Sequence, residues 1–475
     1  ALQQHHQLCW TAGLNPVRIL DAGMQLSYMA IAGVSLGNYG MKRLHKKTGF
    51  RRFQKRYPLR FRVVQSLFYS VTLQGMMLLV VAKTYYEIPV YAGLLNLIVV
   101  PGMTVVVAGS WFGLLVSIGT ISLGRFVMLP VGWMLQGYTW LCERTLELPW
   151  NTLVTGEIRG WQIGMWYGGI ACTLVLLRTK TRNKLRDFVY KHTGRFWRKR
   201  EVVRYTVCTI LISMLLQGAG QALCVWQQRT EAIYFLDVGQ GDGILIRSPD
   251  GRNIVIDGGS TSQSKCGTYT LLPALRSQGM TEIDCWFVTH TDEDHISGLK
   301  ELLLQGKLTQ IKVRTVVFSA YVFQDAALAE LEAVIRAAGI TIVWMREGDV
   351  IGDDTFTLTC LHPTAEYRAK DKNAASLALA YHSDTFDMLF TGDMDADAVA
   401  DMDIQQDYDC IKLPHHGSKY SYVEGVYAHA DYGLISCGYN NRYGHPHTEV
   451  LQGLAQEGTK VLRTDEMGAV VFRGR

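Results

Sequence analysis

Five long apolar stretches follow one another in the first half of the chain: Val63–Ala82, Ile88–Gly109, Trp111–Leu135, Trp161–Leu177 and Tyr205–Val225. Each approaches the ~20 residues that a helix needs to cross a hydrocarbon layer about 30 Å thick. Val63–Ala82 carries no formal charge, and Ile88–Gly109 is similar, with a kink predicted at Pro101. Trp111–Leu135 contains Arg125 and Pro130, so it reads either as one broken span or as a span followed by an interfacial helix. Met24–Tyr39, rich in small residues, reads as the tail of another span. A buried helix of a soluble protein is the plain alternative for any one of these stretches. Five in series favour a membrane region.

After about Glu231 the period shortens. Short apolar runs bounded by Gly, Asp, Asn and Ser predict strands at Ala232–Asp237, Gly243–Arg247, Asn253–Asp257, Cys285–Thr289, Val313–Phe318, Ile340–Trp344, Phe356–Leu361, Leu377–His382, Met388–Thr391, Cys410–Leu413, Tyr432–Ser436, Val461–Arg463 and Ala469–Arg473. Helical patterns lie among them at Tyr269–Gln278, Gly298–Gln305, Ala326–Ala338 and Thr448–Glu457. Many strands with a few interspersed helices predict two sheets packed face to face, with helices outside. The expected organisation is multi-domain, with an α-helical transmembrane domain over 1–229 and an α/β (αββα) sandwich over 230–475. The opening residues read as the interior of something longer, and an N-terminal portion is expected to precede them.

Charge divides the chain at the same place. Before Thr230 there are 27 Lys and Arg against 7 Asp and Glu, and from Thr230 onward 20 against 35. The mean hydropathy of +0.07 therefore averages two unlike halves. Lys42–Arg62 holds ten Lys and Arg and no acid, and Arg178–Arg204 holds eleven with only Asp187 and Glu201 opposing. The positive-inside rule puts both loops in the cytoplasm, and four spans between them satisfy parity. One further span, Tyr205–Val225, then carries the second half out of the cytoplasm. The basic loops read equally as topology signals with lipid-headgroup contacts and as nucleic-acid contacts. Arg125 and Glu143 are ionisable groups in or near apolar spans, where such groups often line water-filled paths, although Arg125 can equally snorkel from a helix end. The ten cysteines form no C-x-x-C pair, and five lie in the second half. That pattern argues against a full disulfide framework and against a cysteine zinc knuckle, and most of them read as small buried residues.

The chemistry sits at strand ends. The predicted strand Cys285–Thr289 runs into His290-Thr-Asp292-Glu-Asp294-His295, four potential ligands within six residues. Imidazole nitrogen and carboxylate oxygen suit Zn²⁺ or Mn²⁺. A solvated polar loop is the bland reading of such a segment, and the mixture of two His with two Asp argues against it. Met388–Thr391 likewise ends in Gly392-Asp393, and Cys410–Leu413 in Pro414-His415-His416-Gly417-Ser418. Three such clusters on one sheet edge are the open polar site of two-metal hydrolysis. Gly444-His445-Pro446-His447 adds a group for phosphate or for supporting the ligands. Lone His362 and His382 read as core or surface residues.

These residues resemble a known family. H-x-D-x-D-H at 290–295 is similar to the metallo-β-lactamase superfamily signature. Together with Phe235-Leu-Asp-Val-Gly-Gln-Gly-Asp242, Ile256-Asp-Gly-Gly259, Thr391-Gly-Asp393 and Leu413–Ser418, it resembles the ComEC family of competence proteins. Asn15-Pro16 and Asp21–Tyr28 resemble that family's membrane competence domain. The resemblance implies a metallo-β-lactamase-like hydrolase fold and an inner-membrane channel for single-stranded DNA in natural transformation. It also implies a nuclease domain that degrades the strand not imported.

Carried over by position, the metal-site residues are His290, Asp292, Asp294, His295, Asp393, His415 and His416. Asn373 and Ser376 occupy a segment where many superfamily members place another ligand histidine, which tilts the metal toward Mn²⁺, with Zn²⁺ also suited. The expected mechanism is phosphodiester hydrolysis with two divalent ions. Asp393 bridges them, Asp294 and His295 hold one, His290 and Asp292 hold the other, and His415 and His416 are shared. Asp292 or Asp294 orients the attacking water, so Asp292, Asp294 and Asp393 are the catalytic set. Ser418, Lys419, His445 and His447 are the expected phosphate contacts, and a basic groove around Lys419 and Arg442 would offset the acidic second half. Ser418 as a nucleophile lacks a paired base. Expected partners are DNA, membrane lipids, further copies of the chain and other DNA-uptake proteins. Two rivals remain, a transporter with a degenerate DNA-docking domain and a membrane-tethered hydrolase of a small ester or phosphoester.

Overall fold

A computed structural model describes residues 21–46, 48–177, 191, 230–402, 404 and 406–474, and divides the chain into two units, Ala1–Leu223 and Cys224–Arg475. The first unit contains α1 (Ala22–Leu44), α2 (Thr48–Arg56), α3 (Pro58–Tyr85), α4 (Ala92–Gly119), α5 (Ile121–Leu146) and α6 (Gly160–Leu177). Strands β1 (Glu87–Pro89) and β2 (Thr152–Val154) pair antiparallel between the helices. The Asp21 carboxylate caps α1, accepting the Met24 N–H at 2.8 Å. Glycines let α1 and α3 approach closely: a Cβ at Gly33 would lie 2.7 Å from the Leu73 Cα, and one at Gly37 would meet the Tyr69 ring.

Among the described residues, α3 and α4 are long and apolar enough to cross a membrane, with mean hydropathies of 1.5 and 2.0. Large apolar side chains cover the outside of these helices, and Ile118 at 79% and Leu59 at 76% are nearly bare. The division expected near Ser110 is absent. Helix α4 runs on to Gly119, the chain turns at the extended residue Thr120, and α5 follows at once, with Pro101 and Pro130 inside their helices. Arg125 is exposed on α5. The expected span Tyr205–Val225, the basic loop from Arg178 and the Asn15-Pro16 motif lie outside the described residues.

The second unit is two seven-stranded sheets. One runs β16-β3-β4-β5-β6-β7-β8 and the other β15-β14-β13-β12-β11-β10-β9. The first holds β3 (Ala232–Phe235), β4 (Gly243–Arg247), β5 (Asn253–Asp257), β6 (Glu282–Val288), β7 (Lys312–Ser319), β8 (Thr341–Met345) and β16 (Val470–Arg473). The second holds β9 (Val350–Gly352), β10 (Phe356–His362), β11 (Ala378–Ser383), β12 (Asp387–Phe390), β13 (Tyr408–Lys412), β14 (Ala430–Ile435) and β15 (Lys460–Arg463).

Strand alternation sends successive side chains to opposite faces. Ile244, Ile246, Phe287, Met388, Phe390 and Cys410 fill the layer between the sheets. Their neighbours Leu245, Trp286 and Val288 face outward onto α7 (Leu272–Ser277), α8 (Glu293–Gln305) and α9 (Ala326–Ala337). On the far side, Leu389 and Ile411 pack against α11 (Thr448–Glu457), with α10 (Ala396–Asp401) a short preceding helix. The result is the expected four-layer αββα sandwich.

Two departures matter. Helix α8 begins at Glu293, so Asp294 and His295 lie on its first turn and not on the loop expected there. Strand β9 and helix α10 carry no clear period in the sequence and were not expected. In each sheet one half is parallel, β5 to β8 and β12 to β15, and the carboxyl ends of those strands are where an open α/β sheet presents ligands.

Candidate metal centre

Glycine makes the centre's floor possible. A Cβ on Gly241 would lie 2.5 Å from the Asp294 carbonyl oxygen, and one on Gly259 would lie 2.5 Å from the His295 nitrogen. The turns after β3 and β5 therefore press their backbones against the first turn of α8. The Asp242 N–H donates to the Asp294 carbonyl at 3.0 Å, and the Gly298 N–H donates to the Gly258 carbonyl at 2.8 Å. Replacing Gly259 by alanine should cost about 1–3 kcal/mol of stability by overpacking, and should weaken metal retention by pushing Asp294 and His295 out of place. Thermal unfolding and metal analysis of the purified variant check this, and wild-type values in both would show that the turn simply yields.

Asp257 closes β5 with φ +56, a left-handed conformation that Asp tolerates. Its carboxylate accepts the Thr289 N–H at 2.8 Å, the Thr289 hydroxyl at 2.7 Å and the His295 Nδ1–H at 2.8 Å. With its proton committed to Asp257, the Thr289 hydroxyl can accept from the His290 Nδ1 at 3.1 Å. On the opposite sheet, the His416 Nδ1 donates to the Ser436 carbonyl at 2.8 Å. His416 sits at φ +57, and this bend at the end of β13 turns its ring into the site.

Each of the three imidazoles thus commits Nδ1 to the fold and directs Nε2 elsewhere. The Nε2 atoms of His290, His295 and His416 are fully buried and have no hydrogen-bond partner among the described residues. Buried polar atoms without partners are costly and rare, and a metal ion is the partner that such an arrangement suits. They converge on Asp393, whose Oδ1 is 3.3 Å from the His295 Nε2 and whose Oδ2 is 3.4 Å from the His416 Nε2. Asp294 approaches the His416 Nε2 at 3.4 Å.

Among the described residues, four groups each bring their ligand atoms within 4.8 Å of one another: His290-His295-Asp393, Asp294-His295-His416, Asp242-Asp393-His416 and Asp242-Asp257-His295. The last two depend on Asp242, which is already in contact with the buried ammonium of Lys412. That ammonium also donates to the Gly392 carbonyl at 2.8 Å and stands 3.6 Å from Asp393. A cation already occupies the neighbourhood of Asp242. The first two groups remain, sharing His295, with Asp393 reaching toward both.

The other expected residues fall outside this knot. Asp292 lies 3.5 Å from the His290 Nε2 but is bound by Lys372, and joins none of the four groups. His415 also joins none of them. Its ring meets His445 edge-on at 5.6 Å. Ser418 is buried, and its hydroxyl accepts the Tyr420 N–H at 3.3 Å, which shapes the turn after His416. Lys419 pairs with Glu449 at 3.4 Å, while His447 accepts the Lys419 N–H and lies 5.0 Å from His445, ring to ring. Arg442 lies over Tyr443 at 4.7 Å. Ser376 holds the Asp393 N–H at 3.2 Å in place of a ligand imidazole. The residues of the cluster not foreseen as part of it are Asp242, Asp257, Lys372 and Lys412. The first two stood in glycine-flanked turns at strand ends, which is the signal that could have found them.

Burial opposes ionisation of His416, but Asp393, Asp242 and Asp294 outweigh it and push it up to about 10. His295 is raised well above its ordinary value against the same burial, by Asp393 and Asp257. Burial drives His415 down, with His416, Lys412 and His290 adding to it against Asp393, and burial takes His445 down to about 4 with help from the neighbouring imidazoles. Metal uptake must then displace protons from His295 and His416, so affinity should rise with pH and binding should release protons. The raised values also mean that the metal-free domain loses stability as pH climbs from about 6.5 toward about 10. Calorimetry in buffers of differing ionisation heat checks the first point. Uptake without proton release would contradict it.

Residues 8–180 match the family described as Competence protein, and residues 236–365 match the Metallo-beta-lactamase superfamily. The first match falls in the helical unit and the second in the two-sheet unit. The chain is 32% identical over 256 residues to ComE operon protein 3 of Bacillus subtilis (strain 168), covering 50% of itself and 32% of that protein. It is 26% identical over 289 residues to competence protein ComA of Neisseria gonorrhoeae, covering 56% of itself and 38% of that protein. It therefore spans well under half the length of either. Among solved structures, the metallo-β-lactamase fold protein YhfI from Bacillus subtilis aligns with 51% of the chain and 100% of its own length, at 13% identity and a TM-score of 0.35. The superfamily match takes in the motif at 290–295.

Proposed function

We propose that this chain is part of an inner-membrane DNA-uptake channel for natural transformation, and that its second domain is a metal-dependent nuclease acting on the strand not imported. The observation that carries the nuclease reading is the convergence of three partnerless imidazole nitrogens on Asp393. The competence match over 8–180 supports uptake. In this reading residues 1–229 form a multi-pass transmembrane domain, and residues 230–475 form the hydrolase on the extracytoplasmic side.

His290, His295 and Asp393 would hold one divalent ion, Mn²⁺ or Zn²⁺, and Asp294 with His416 would supply ligands for a second, because the one lone pair on the His295 Nε2 serves a single ion. The chemistry supplied by bound cations is acidification of water and neutralisation of charge on a phosphoryl group. Lys412 fixes the Asp393 carboxylate from beneath. Lys372 holds Asp292 at the rim, where the carboxylate can orient water. His415 and His445, kept neutral by burial and by neighbouring cationic groups, can accept a proton from water or donate an N–H hydrogen bond to a phosphate. Lys419 and Arg442 supply positive charge on an otherwise acidic domain.

The test is the purified full chain with single- and double-stranded DNA, Mn²⁺, Zn²⁺ or chelator. Cleavage that needs metal and is lost in Asp294→Ala supports the reading. Turnover of a small ester with no cut DNA would replace it with a membrane-tethered esterase.

A further inference from the structure

The charge-rich segment between α1 and α3 is folded into a site of its own. Helix α2 carries Phe50 and Phe53 one turn apart, with Arg51, Arg52, Lys55 and Arg56 between and beyond them. That separation of aromatic and cationic faces suits a helix lying along a membrane surface. Phe50 packs edge-on against Phe61 at 5.4 Å, and His45 packs against both at 5.5 and 5.6 Å. Arg51 donates from Nε to the His45 carbonyl at 2.6 Å, tying α2 to the end of α1.

These contacts frame a cavity of about 630 Å³ whose lining includes Arg51, Lys55, Arg62, His45 and Gln65 over the buried ring of Phe61. No acidic residue lines it, and none occurs between Lys42 and Arg62. Among the described residues, Arg51, Lys55 and Arg62 form no ion pair. Pro58, Phe61, Arg62 and Gln65 present the cavity face of α3, following the helical period. One residue round that helix, Leu59 is 76% exposed and Val63 is 53% exposed. Three unpaired cations beside bare aliphatic side chains, at the start of a helix apolar enough to span a bilayer, match an amphiphile better than a free anion or a nucleic acid.

We propose that this cavity is a headgroup site for an anionic glycerophospholipid, with the phosphate among Arg51, Lys55 and Arg62 and the acyl chains along Leu59 and Val63. The site holds the α1–α2–α3 corner at the depth of the phosphate layer. It rests on reading α3 as membrane-spanning, and does not depend on the nuclease.

The experiment uses the full chain in phosphatidylcholine micelles titrated with phosphatidylglycerol. The triple variant Arg51→Gln/Lys55→Gln/Arg62→Gln should bind phosphatidylglycerol roughly 100-fold more weakly. The matched triple Arg52→Gln/Arg56→Gln/Arg60→Gln, which removes as many charges outside the cavity, should keep near-native affinity. Unfolding temperature in phosphatidylcholine reports whether each variant folds. If the cavity triple does not, Lys55→Gln alone should weaken binding about fivefold.

Equal losses in both triples would mean diffuse attraction, and would overturn the site. So would displacement of the lipid by millimolar inorganic phosphate, or by an oligonucleotide whose binding needs the same three residues. Extraction of the chain from membranes by carbonate without detergent would remove the membrane reading itself, a result separable from any lipid preference.

Discussion

Changing Asp393 to asparagine should abolish metal-dependent hydrolysis, lowering kcat/KM by about 10²–10³ or more, the scale of losing one charge-stabilising group in a dry site. Asparagine preserves the shape of the side chain, so the fold should survive. The reason lies in position. One carboxylate oxygen faces the His295 Nε2 at 3.3 Å and the other faces the His416 Nε2 at 3.4 Å. No other carboxylate in the centre reaches Nε2 atoms in both of the cation-competent groups through different oxygens. Burial opposes its charge, but His416, His295 and Lys412 hold it well below the usual carboxylate range. A neutral amide cannot supply that charge. Metal content measured after dialysis should fall together with activity, while circular dichroism stays unchanged. Full metal retention and activity in the asparagine variant would remove Asp393 from the centre.

Lys412→Met should destabilise the domain by about 3–5 kcal/mol, the cost of stranding buried charge. The ammonium is 1% exposed and lies against Asp242, with Asp393 at 3.6 Å and the Gly392 carbonyl at 2.8 Å. Burial lowers its pKa, but Asp242 and Asp393 reverse that and keep it charged. Without it, two buried carboxylates face each other's side of the site with less to neutralise them. Excess Mn²⁺ should recover part of the loss, because a cation can then approach Asp242. Removing the partner as well, in Lys412→Met/Asp242→Leu, should restore stability relative to the single variant, since an apolar pair carries no desolvation penalty. Denaturant unfolding of the three proteins is the measurement. An unchanged midpoint in Lys412→Met would mean that Asp242 finds another partner or binds a proton.

Much of the site was readable before folding. His290, Asp294, His295, Asp393 and His416, which the fold brings together, all stand among the residue types that follow apolar runs, because metal chemistry restricts which side chains are candidates. Asp292 and His415 have the right chemistry in the right motifs, yet one is bound by Lys372 and the other turns toward His445. Motif spacing does not report which way a side chain leaves a left-handed bend such as the one at 415 and 416. Lys412 was invisible because a lysine inside a predicted strand reads as surface charge. Only the register of β13 beneath Gly392 and Asp393 shows that it is interior.

The order of elements, the alternation that builds both sheets, the separation of an oily half from an acidic half and the family motifs all follow from local residue pattern. Each depends on neighbours within a few positions along the chain. The four-layer assembly, the meeting of residues from 242 to 416 and the choice between competing ligand groups depend on contacts between segments over a hundred residues apart. Those were settled by backbone approach at Gly241 and Gly259, and by one buried ammonium whose charge excludes a second cation from its side of the cleft.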